Sequence, residues 1–410
     1  MDKHKSNIQL LLSIPVIVAA LGYFVDIYDL LLFGIVRIPS LTSMGLNEEQ
    51  LSLQGASILN WQMTGLLLGG ILWGVMGDKK GRISVLFGSI LTYSLANIIC
   101  GFVQTPEQYK ILRFIAGIGL AGELGAGITL VSEILPKNLR AIGTSLVAGV
   151  GLCGAIVAYF TADIFEWRIA YFIGGGLGLV LLFLRIGVFE SGMFKNIHQE
   201  GSISKGNFFS FFTNKKRFLI YLKCIAIGLP TWFIIGILAT FSNEFGKALG
   251  ISEPIKPGLS IMWCYVGLAL GDLLSGFLSH ALQSRKKAVG LMMLFTLFGS
   301  IIFLFAGIKS DSVLYLICIW MGFGIGYWAM FVTIGAEQFG TNLRATAATT
   351  IPNMVRGTVV LMTSIYVWAK PSMGVIMAGS IVGILTFTLG LVSVATIPET
   401  HDRDLDFLEE

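Results

Sequence analysis

Residues 133–141 read EILPKNLRA, and residues 337–345 read EQFGTNLRA. The two stretches share a glutamate, an asparagine, a leucine, an arginine and an alanine at a constant offset of 204 residues. Similarity between two apolar runs would carry little weight, but polar residues in the same register indicate an internal repeat. The sequence therefore predicts two copies of one structural unit that run in the same direction.

The composition of the chain points to a membrane. Of its 410 residues, 55% are hydrophobic and 13% are charged, and the mean hydropathy is +0.79. Soluble domains carry about 25% charged residues, so the composition argues against a soluble enzyme, a disordered scaffold and a nucleic-acid-binding protein. The net charge of +4 gives no indication of a polyanionic partner. The 50 glycines, which follow no collagen repeat, are typical of helices packed closely in lipid.

Long apolar runs define the predicted spans. A spanning helix needs about 20 mostly apolar residues, and about twelve segments qualify: 10–37, 52–77, 82–103, 108–134, 140–164, 167–190, 217–246, 257–282, 286–308, 311–338, 343–369 and 371–397. These runs are too long for barrel strands and do not alternate in polarity. We therefore expect an all-α polytopic membrane protein with about twelve transmembrane helices.

The repeat and the basic residues set the predicted organisation. Six spans repeated in one orientation imply two six-helix bundles, residues 1–190 and 217–410, joined by a polar linker at 191–216, and such bundles can rock about a site at their interface. Lys and Arg cluster in alternate loops, as at Lys79–Arg82, Lys215–Arg217 and Arg285–Lys287. By the positive-inside rule, both termini are predicted to be cytoplasmic.

A loop motif lies between the second and third spans. Residues 74–82 read GVMGDKKGR, and a weaker copy ends at Arg285, with His280 in place of the acid. The first stretch resembles the loop signature of the major facilitator superfamily, and the resemblance covers essentially the whole chain. The fourth span with the following Glu133–Arg140 stretch, Glu190-Ser191 and Pro398-Glu399-Thr400 are similar to the metabolite–proton symporter and sugar-porter branch.

The resemblance implies a cytoplasmic gate and a gradient-driven transporter. The gate residues would be Gly74, Asp78, Gly81, Arg82, Glu133, Arg140, Glu337 and Arg344. Charge-assisted bonds among them at the cytoplasmic rim would stabilise one tilt of the bundles over the other; ordinary positive-inside charge is the alternative. We expect no cofactor, a monomer in the inner membrane of a bacterium, and a lipid bilayer, a small metabolite and a proton as its partners.

Ionised groups inside spans need a reason, because a charge at mid-bilayer costs about 2.5–3.5 kcal/mol on insertion scales. Asp26 and Asp29 share a face of the first span, and Arg113 enters the fourth span at a similar depth. We predict an acid–arginine pair that protonation opens. In proton-coupled sugar porters such a pair joins the first and fourth spans, and Tyr28-Asp29 matches that motif best. A permanent structural ion pair is the alternative.

Glu123 lies about 15 Å beyond Arg113 along the fourth span, near the midplane. Without a fixed partner, a buried glutamate can titrate near neutral pH, so Glu123 is a candidate for proton coupling. The alternative is a protonated side chain that hydrogen-bonds a neighbouring helix.

Arg356 lies near mid-membrane in the eleventh span, and the repeat places Leu152, which is uncharged, at the equivalent position. A guanidinium group suits carboxylate or phosphate binding, and the position resembles the anion-binding arginine of organic-anion carriers. The alternative is an internal pair with Asp272. Further candidate substrate-binding residues are Asp272, Asn353, Tyr327, Trp328 and Trp232, the last three beside glycines or a proline.

The leading functional hypothesis is proton-coupled import of a small anionic or zwitterionic metabolite by alternating access. The alternatives are efflux of a drug or siderophore by proton antiport, and a non-transporting sensor on the same scaffold. No phosphate-binding loop of an ATP-driven pump occurs, no metal-ligand spacing appears among the histidines and cysteines, and no nucleophile–base constellation indicates an enzyme.

Overall fold

The computed structural model describes residues 7–80, 82–123, 135, 139–190 and 208–401. All regular secondary structure in these ranges is helical. The principal helices are α1 (Ile14–Ser43), α2 (Glu48–Lys80), α3 (Arg82–Cys100), α4 (Pro106–Leu120), α5 (Arg140–Ile164), α6 (Trp167–Glu190), α7 (Lys215–Phe233), α8 (Pro257–Leu282), α9 (Arg285–Phe305), α10 (Asp311–Gly324), α11 (Trp328–Glu337), α12 (Thr341–Gly357) and α13 (Val359–Thr396). Short helices lie at Asn7–Leu11, Ser210–Thr213 and Ser242–Leu249.

The predicted all-α membrane architecture is confirmed. Within the described ranges, eight helical segments are long and apolar enough to cross a bilayer. The longest of them, Thr346–Thr396, contains two passes, because Gly374 breaks it with a φ of 81°. That break falls close to the predicted boundary between the last two spans.

The internal repeat is visible in how the helices pack. In the residues before 190, which we call the first half, α1 packs chiefly on α5 and α2 on α4. In residues 208–401, the second half, α8 packs on α10 as α2 packs on α4, and α7 packs on both α12 and α13. A Cβ on Gly65 would lie 2.2 Å from the carbonyl oxygen of Phe114, and a Cβ on Gly267 would lie 2.2 Å from that of Ile319. Equivalent helix pairs therefore approach through equivalent glycines.

The turns at the end of the bundle opposite the chain termini contact one another, and we call this the distal end. Trp167 Nε1 donates to Ser43 Oγ at 3.1 Å, and Lys309 Nζ donates to the carbonyl oxygen of Leu249 at 2.6 Å. If both termini are cytoplasmic, the distal end is the outer one.

Two helices of the second half are irregular. After Pro230, α7 continues as a π-helical turn over Ile234–Ala239. The tenth predicted span is interrupted between α10 and α11, so that α11 begins a new helix at Trp328. Such irregular backbone in a membrane protein occurs where it is buried in protein or lines a cavity.

Candidate functional site

A buried acid–arginine pair joins the two halves at the centre of the molecule. Asp26 of α1 and Arg356 of α12 are both almost completely buried, and Arg356 Nη2 lies 3.8 Å from Asp26 Oδ2. Neither carboxylate oxygen of Asp26 has a hydrogen-bond partner among the described residues, and the same holds for Arg356 Nε and Nη1. The two charges attract each other, but most of their hydrogen-bonding capacity is unused.

Aromatic side chains surround this central pair. The Arg356 guanidinium carbon lies 5.9 Å from the centre of the Trp232 ring. Tyr23 and Tyr265 are buried and interact electrostatically with both Asp26 and Arg356. The sequence reasoning missed these two tyrosines, although Tyr23 lies one turn before Asp26 and so shares its helix face. The centre therefore combines a guanidinium group, a carboxylate and aromatic walls.

Two other predicted binding residues hold helices together. Asn353 Nδ2 donates to the carbonyl oxygen of Ala121 at 3.0 Å, which links α12 to the end of α4 across the halves. The Tyr327 hydroxyl donates to the carbonyl oxygen of Ile227 at 3.0 Å, within the second half. Trp328 is buried and its ring packs 5.0 Å from that of Phe331. Asn353 therefore lies at the contact between the two halves, which we call the seam, whereas Tyr327 stabilises the chain at the break between α10 and α11.

Asp272 is not the partner of Arg356. Its Oδ1 accepts a hydrogen bond from the backbone N–H of Ala329 at 3.0 Å, at the start of α11. A helix leaves its first N–H groups unsatisfied, and a carboxylate stabilises them. The proposed internal Arg356–Asp272 pair is therefore wrong, because Arg356 pairs with Asp26 and Asp272 caps α11.

The predicted pair between Asp29 and Arg113 is also corrected. The Arg113 guanidinium donates to Asn97 Oδ1 at 2.6 Å, to Gln62 Oε1 at 3.2 Å and to the backbone carbonyl oxygen of Asp29 at 3.0 Å. The Asp29 carboxylate instead faces α6, where a Cβ on Gly174 would lie 2.4 Å from Oδ1. Its oxygens have no hydrogen-bond partner among the described residues. Depth along the spans was sufficient to place these residues together, but not to orient the side chain.

Glu123 has a fixed partner that the sequence reasoning missed. Arg185 of α6 donates Nη1 to Oε1 and Nη2 to Oε2, each at 2.9 Å, and Ser89 Oγ donates to Oε1 at 3.3 Å. The pair is buried within the first half. Gly22 gives it room, since a Cβ there would lie 2.2 Å from Arg185 Nη2. Arg185 comes five residues before the end of α6, and an arginine inside a predicted span was the available signal.

The comparisons with known proteins agree with this architecture. The sequence profile of the Major Facilitator Superfamily matches residues 19–357. The chain belongs to the major facilitator superfamily. A Haemophilus influenzae protein named for metabolite transport is 28% identical over 92% of this chain and 91% of its own length. A gentisate transporter of Corynebacterium glutamicum is 24% identical over 78% of this chain and 73% of its own.

A solved structure shows the same fold. The crystal structure of a D-xylose–proton symporter matches with a TM-score of 0.68 at 16% identity, covering 95% of this chain and 99% of the other. The family and its transporter relatives show that the chain is a membrane-embedded transporter of small molecules rather than an enzyme, as the sequence predicted.

The superfamily's cytoplasmic motif is described only in part. Gly81 and Glu133 lie outside the described residues, and only the backbone is described at Gly74, Asp78, Arg82 and Arg140. In the second half, Arg285 Nη2 lies 2.7 Å from Glu337 Oε1, and Arg344 lies in the first turn of α12. Glu337 and Arg285 belong to the same half, so their bond does not itself tie the halves together.

The branch signature at Pro398-Glu399-Thr400 has a clear physical role in this superfamily member. Glu399 accepts hydrogen bonds from the Ser284 hydroxyl and from the backbone N–H groups of Arg285 and Lys286, at the start of α9. Burial raises the pKa of Glu399, but the hydrogen bonds from Ser284 and from backbone N–H groups outweigh it and lower the pKa to about 2. The carboxylate thus caps α9 and fixes the end of α13 to it.

Proposed function

We propose that the chain imports a small organic anion together with a proton by alternating access. One observation carries the proposal: the Asp26–Arg356 pair, which lies where the two halves meet, leaves most of its hydrogen-bonding capacity unused. Its atoms lie 3.8 Å apart, and the carboxylate accepts no hydrogen bond from the described residues. A substrate carboxylate can therefore replace Asp26 on Arg356 at little cost in broken bonds.

Charge balance then couples the substrate to the proton. Once a substrate carboxylate occupies Arg356, Asp26 is a buried acid without its cation, and burial disfavours the ionised form. Asp26 takes up a proton, so the centre stays electrically balanced while the halves rock. When the substrate leaves, Arg356 attracts Asp26 again and the proton is released. Asp29, also buried and without a hydrogen-bond partner for its carboxylate oxygens among the described residues, is the second candidate carrier.

This geometry favours symport over the antiport alternative. In an antiporter, the substrate and the proton compete, so substrate binding expels a proton. Here substrate binding frees a carboxylate to accept one. The aromatic walls around Arg356 and the gentisate transporter among the relatives support a carboxylate with an apolar body as the substrate.

The proposal includes a bacterial inner-membrane location with both termini in the cytoplasm, a monomeric state, and a linker at 191–216 between bundles 1–190 and 217–410. The basic residues clustered in alternate loops support this orientation.

Uptake into proteoliposomes tests the mechanism. We would measure accumulation of radiolabelled gentisate and a panel of other carboxylates with an inward proton gradient. Asp26→Asn is expected to abolish accumulation above equilibrium while exchange of external for internal substrate continues, because the substrate still binds Arg356. Arg356→Gln is expected to lower both by about tenfold or more, since a hydrogen bond to a charged group contributes about 1.5–3 kcal/mol.

Glu107→Gln serves as the control, because Glu107 is exposed at the start of α4. Among the described residues its ion-pair partner is Lys110, at 3.9 Å. Full accumulation by the Asp26→Asn protein would refute coupling through Asp26. Failure of the wild-type protein to accumulate any carboxylate in the panel would refute anion import.

A further inference from the structure

A cavity opens between the halves at the distal end, away from the central pair. It has a volume of about 1120 Å³, and its lining includes Ile35, Tyr159 and Val375 but none of Asp26, Trp232 or Arg356. Exposed ion pairs that bridge the halves form its rim: Lys247 with Glu48 at 2.6 Å and Lys256 with Asp163 at 3.4 Å. Each rim cation therefore has its own carboxylate partner.

The floor of the cavity holds two largely buried cations and one largely buried acid. Arg37 of α1 is fully buried, Lys370 of α13 is largely buried, and one carboxylate, Glu244, lies with them. Glu244 Oε2 accepts from Lys370 Nζ at 2.9 Å and from the Tyr366 hydroxyl at 2.8 Å, so Lys370 already uses this acid. Two largely buried cations thus share one largely buried acid, while the exposed Glu49 brings the lining as a whole to four cations and four acids.

Arg37 is only partly satisfied. Its Nη2 donates to the carbonyl oxygen of Thr240 and to Asn243 Oδ1, both at 2.9 Å, and its guanidinium lies 4.5 Å from the Phe241 ring centre. Its Nε and Nη1 have no acceptor among the described residues, although both are buried. Gly55 makes room for the side chain, since a Cβ there would lie 2.7 Å from Arg37 Cδ.

Buried N–H groups of a guanidinium that have no acceptor, beside a second cation that already uses the nearby acid, destabilise a folded state unless an anion compensates them. We propose that the floor of the distal cavity is a second anion-binding site, in which Arg37 and Lys370 bind a carboxylate. The identity of that carboxylate as the transported substrate rests on the function proposed above; the site itself does not.

The location suits a substrate on its way to the centre. Arg37 follows Asp26 by eleven residues on the same helix, which places it about 16 Å further toward the distal end. An anion held there would lie between the exposed rim and Arg356. Because Arg37 also bonds Thr240 and Asn243 of the second half, the same guanidinium contacts both the anion and the closed seam.

Binding of benzoate to protein that lacks the central arginine isolates the distal site. We would titrate detergent-purified Arg356→Gln protein with radiolabelled benzoate and use benzamide as the uncharged competitor. We expect saturable binding that benzamide does not displace. Arg37→Gln in the same background should weaken it by about tenfold or more, because a charge-assisted hydrogen bond is lost.

Two more variants keep the test decisive if Arg37→Gln protein does not fold. Lys370→Gln, which removes the second cation of the floor, should weaken benzoate binding severalfold, and Arg37→Lys should retain part of it. Arg168→Gln is the matched control, since Arg168 lies at the distal end but bonds the carbonyl oxygens of Gly101 and Val103. Its benzoate binding should equal that of the Arg356→Gln parent.

The outcomes separate this inference from the proposed function. Arg356→Gln protein that binds no benzoate, or binds it equally well after the Arg37 and Lys370 substitutions, overturns the distal site without bearing on symport. Benzoate binding that depends on Arg37, in a protein whose wild type accumulates no carboxylate, supports the distal site and refutes the proposed import.

Discussion

Two buried acid–arginine pairs can be compared directly. Glu123 and Arg185 lie within the first half and meet through two hydrogen bonds of 2.9 Å, with Ser89 as a third donor. Asp26 and Arg356 lie on the seam between the halves and approach only to 3.8 Å. In the first pair the carboxylate oxygens and the guanidinium N–H groups are hydrogen-bonded to each other, and we call it the saturated pair; it holds three helices of one bundle together. In the second pair the opposite charges attract each other, but most of their hydrogen-bonding groups have no partner among the described residues. Saturation therefore distinguishes a structural pair from one that can exchange partners.

The largest expected effect comes from breaking the saturated pair. Arg185→Gln leaves Glu123 buried without its cation, and removal of one partner from a buried pair costs about 3–5 kcal/mol. Arg356→Gln also leaves a buried acid, Asp26, without its cation, but it breaks no hydrogen bond between the two side chains, so its loss of stability should be smaller. Thermal unfolding of the two purified variants in one detergent measures the difference, and equal losses would break the comparison.

A double substitution tells whether the saturated pair also couples protons. Glu123→Leu with Arg185→Met should recover most of the lost stability, because apolar replacements of a buried pair are often neutral or stabilising. Proton-driven uptake should persist in this folded variant. Its loss would restore Glu123 to the role in coupling that the sequence suggested.

A smaller effect is expected at Gly22 of α1, which lets the saturated pair pack closely against that helix. In Gly22→Ala the new Cβ would lie 2.2 Å from Arg185 Nη2, so the guanidinium must shift. Overpacking of this kind costs about 1–3 kcal/mol. Gly176→Ala is the matched control, since nothing lies within 4 Å of its Cβ position, and a similar loss in both variants would contradict the steric explanation.

The smallest effect is expected at Glu399, a carboxylate that is stabilised by hydrogen bonds rather than by a buried cation. Because the pKa of Glu399 is lowered to about 2, its ionised form stabilises the fold above the ordinary glutamate pKa of about 4.3. That contribution is lost as the pH falls from about 4.3 toward 2. The unfolding temperature of Glu399→Gln protein should therefore depend less on pH between 5 and 3 than that of the wild type. Parallel curves for the two proteins would exclude this role.

The sequence was a reliable guide to depth and a poor one to partners. The rise per residue placed Asp26, Asp29, Arg113 and Arg356 inside the bundle, and all four are buried. Pairing depends on how each helix is rotated about its axis, and a single sequence with apolar residues on every face does not determine that rotation. Asp29 was therefore assigned to Arg113, whose guanidinium binds the Asp29 backbone instead.

Arg37 and Arg185 show a second reason for misses. Both lie toward the ends of their spans, where an arginine is expected to reach the aqueous interface. The structure buries both, one against Gly55 and the other against Gly22. A glycine on a neighbouring helix can admit a guanidinium group into the core, and which glycine faces which arginine follows only from the packed fold.

The π-helical turn before Thr240 has a mechanical consequence. A π turn holds one residue more than an α turn, and each residue rotates a helix by about 100°. The Thr240 carbonyl oxygen now accepts a hydrogen bond from the Arg37 guanidinium. If Ile234–Ala239 rewound into an α-helix, that carbonyl would rotate away from Arg37. A change of helical pitch in one helix would thus break the Arg37–Thr240 contact between the halves at the distal end. The glycine-packed interior of each bundle would stay as it is.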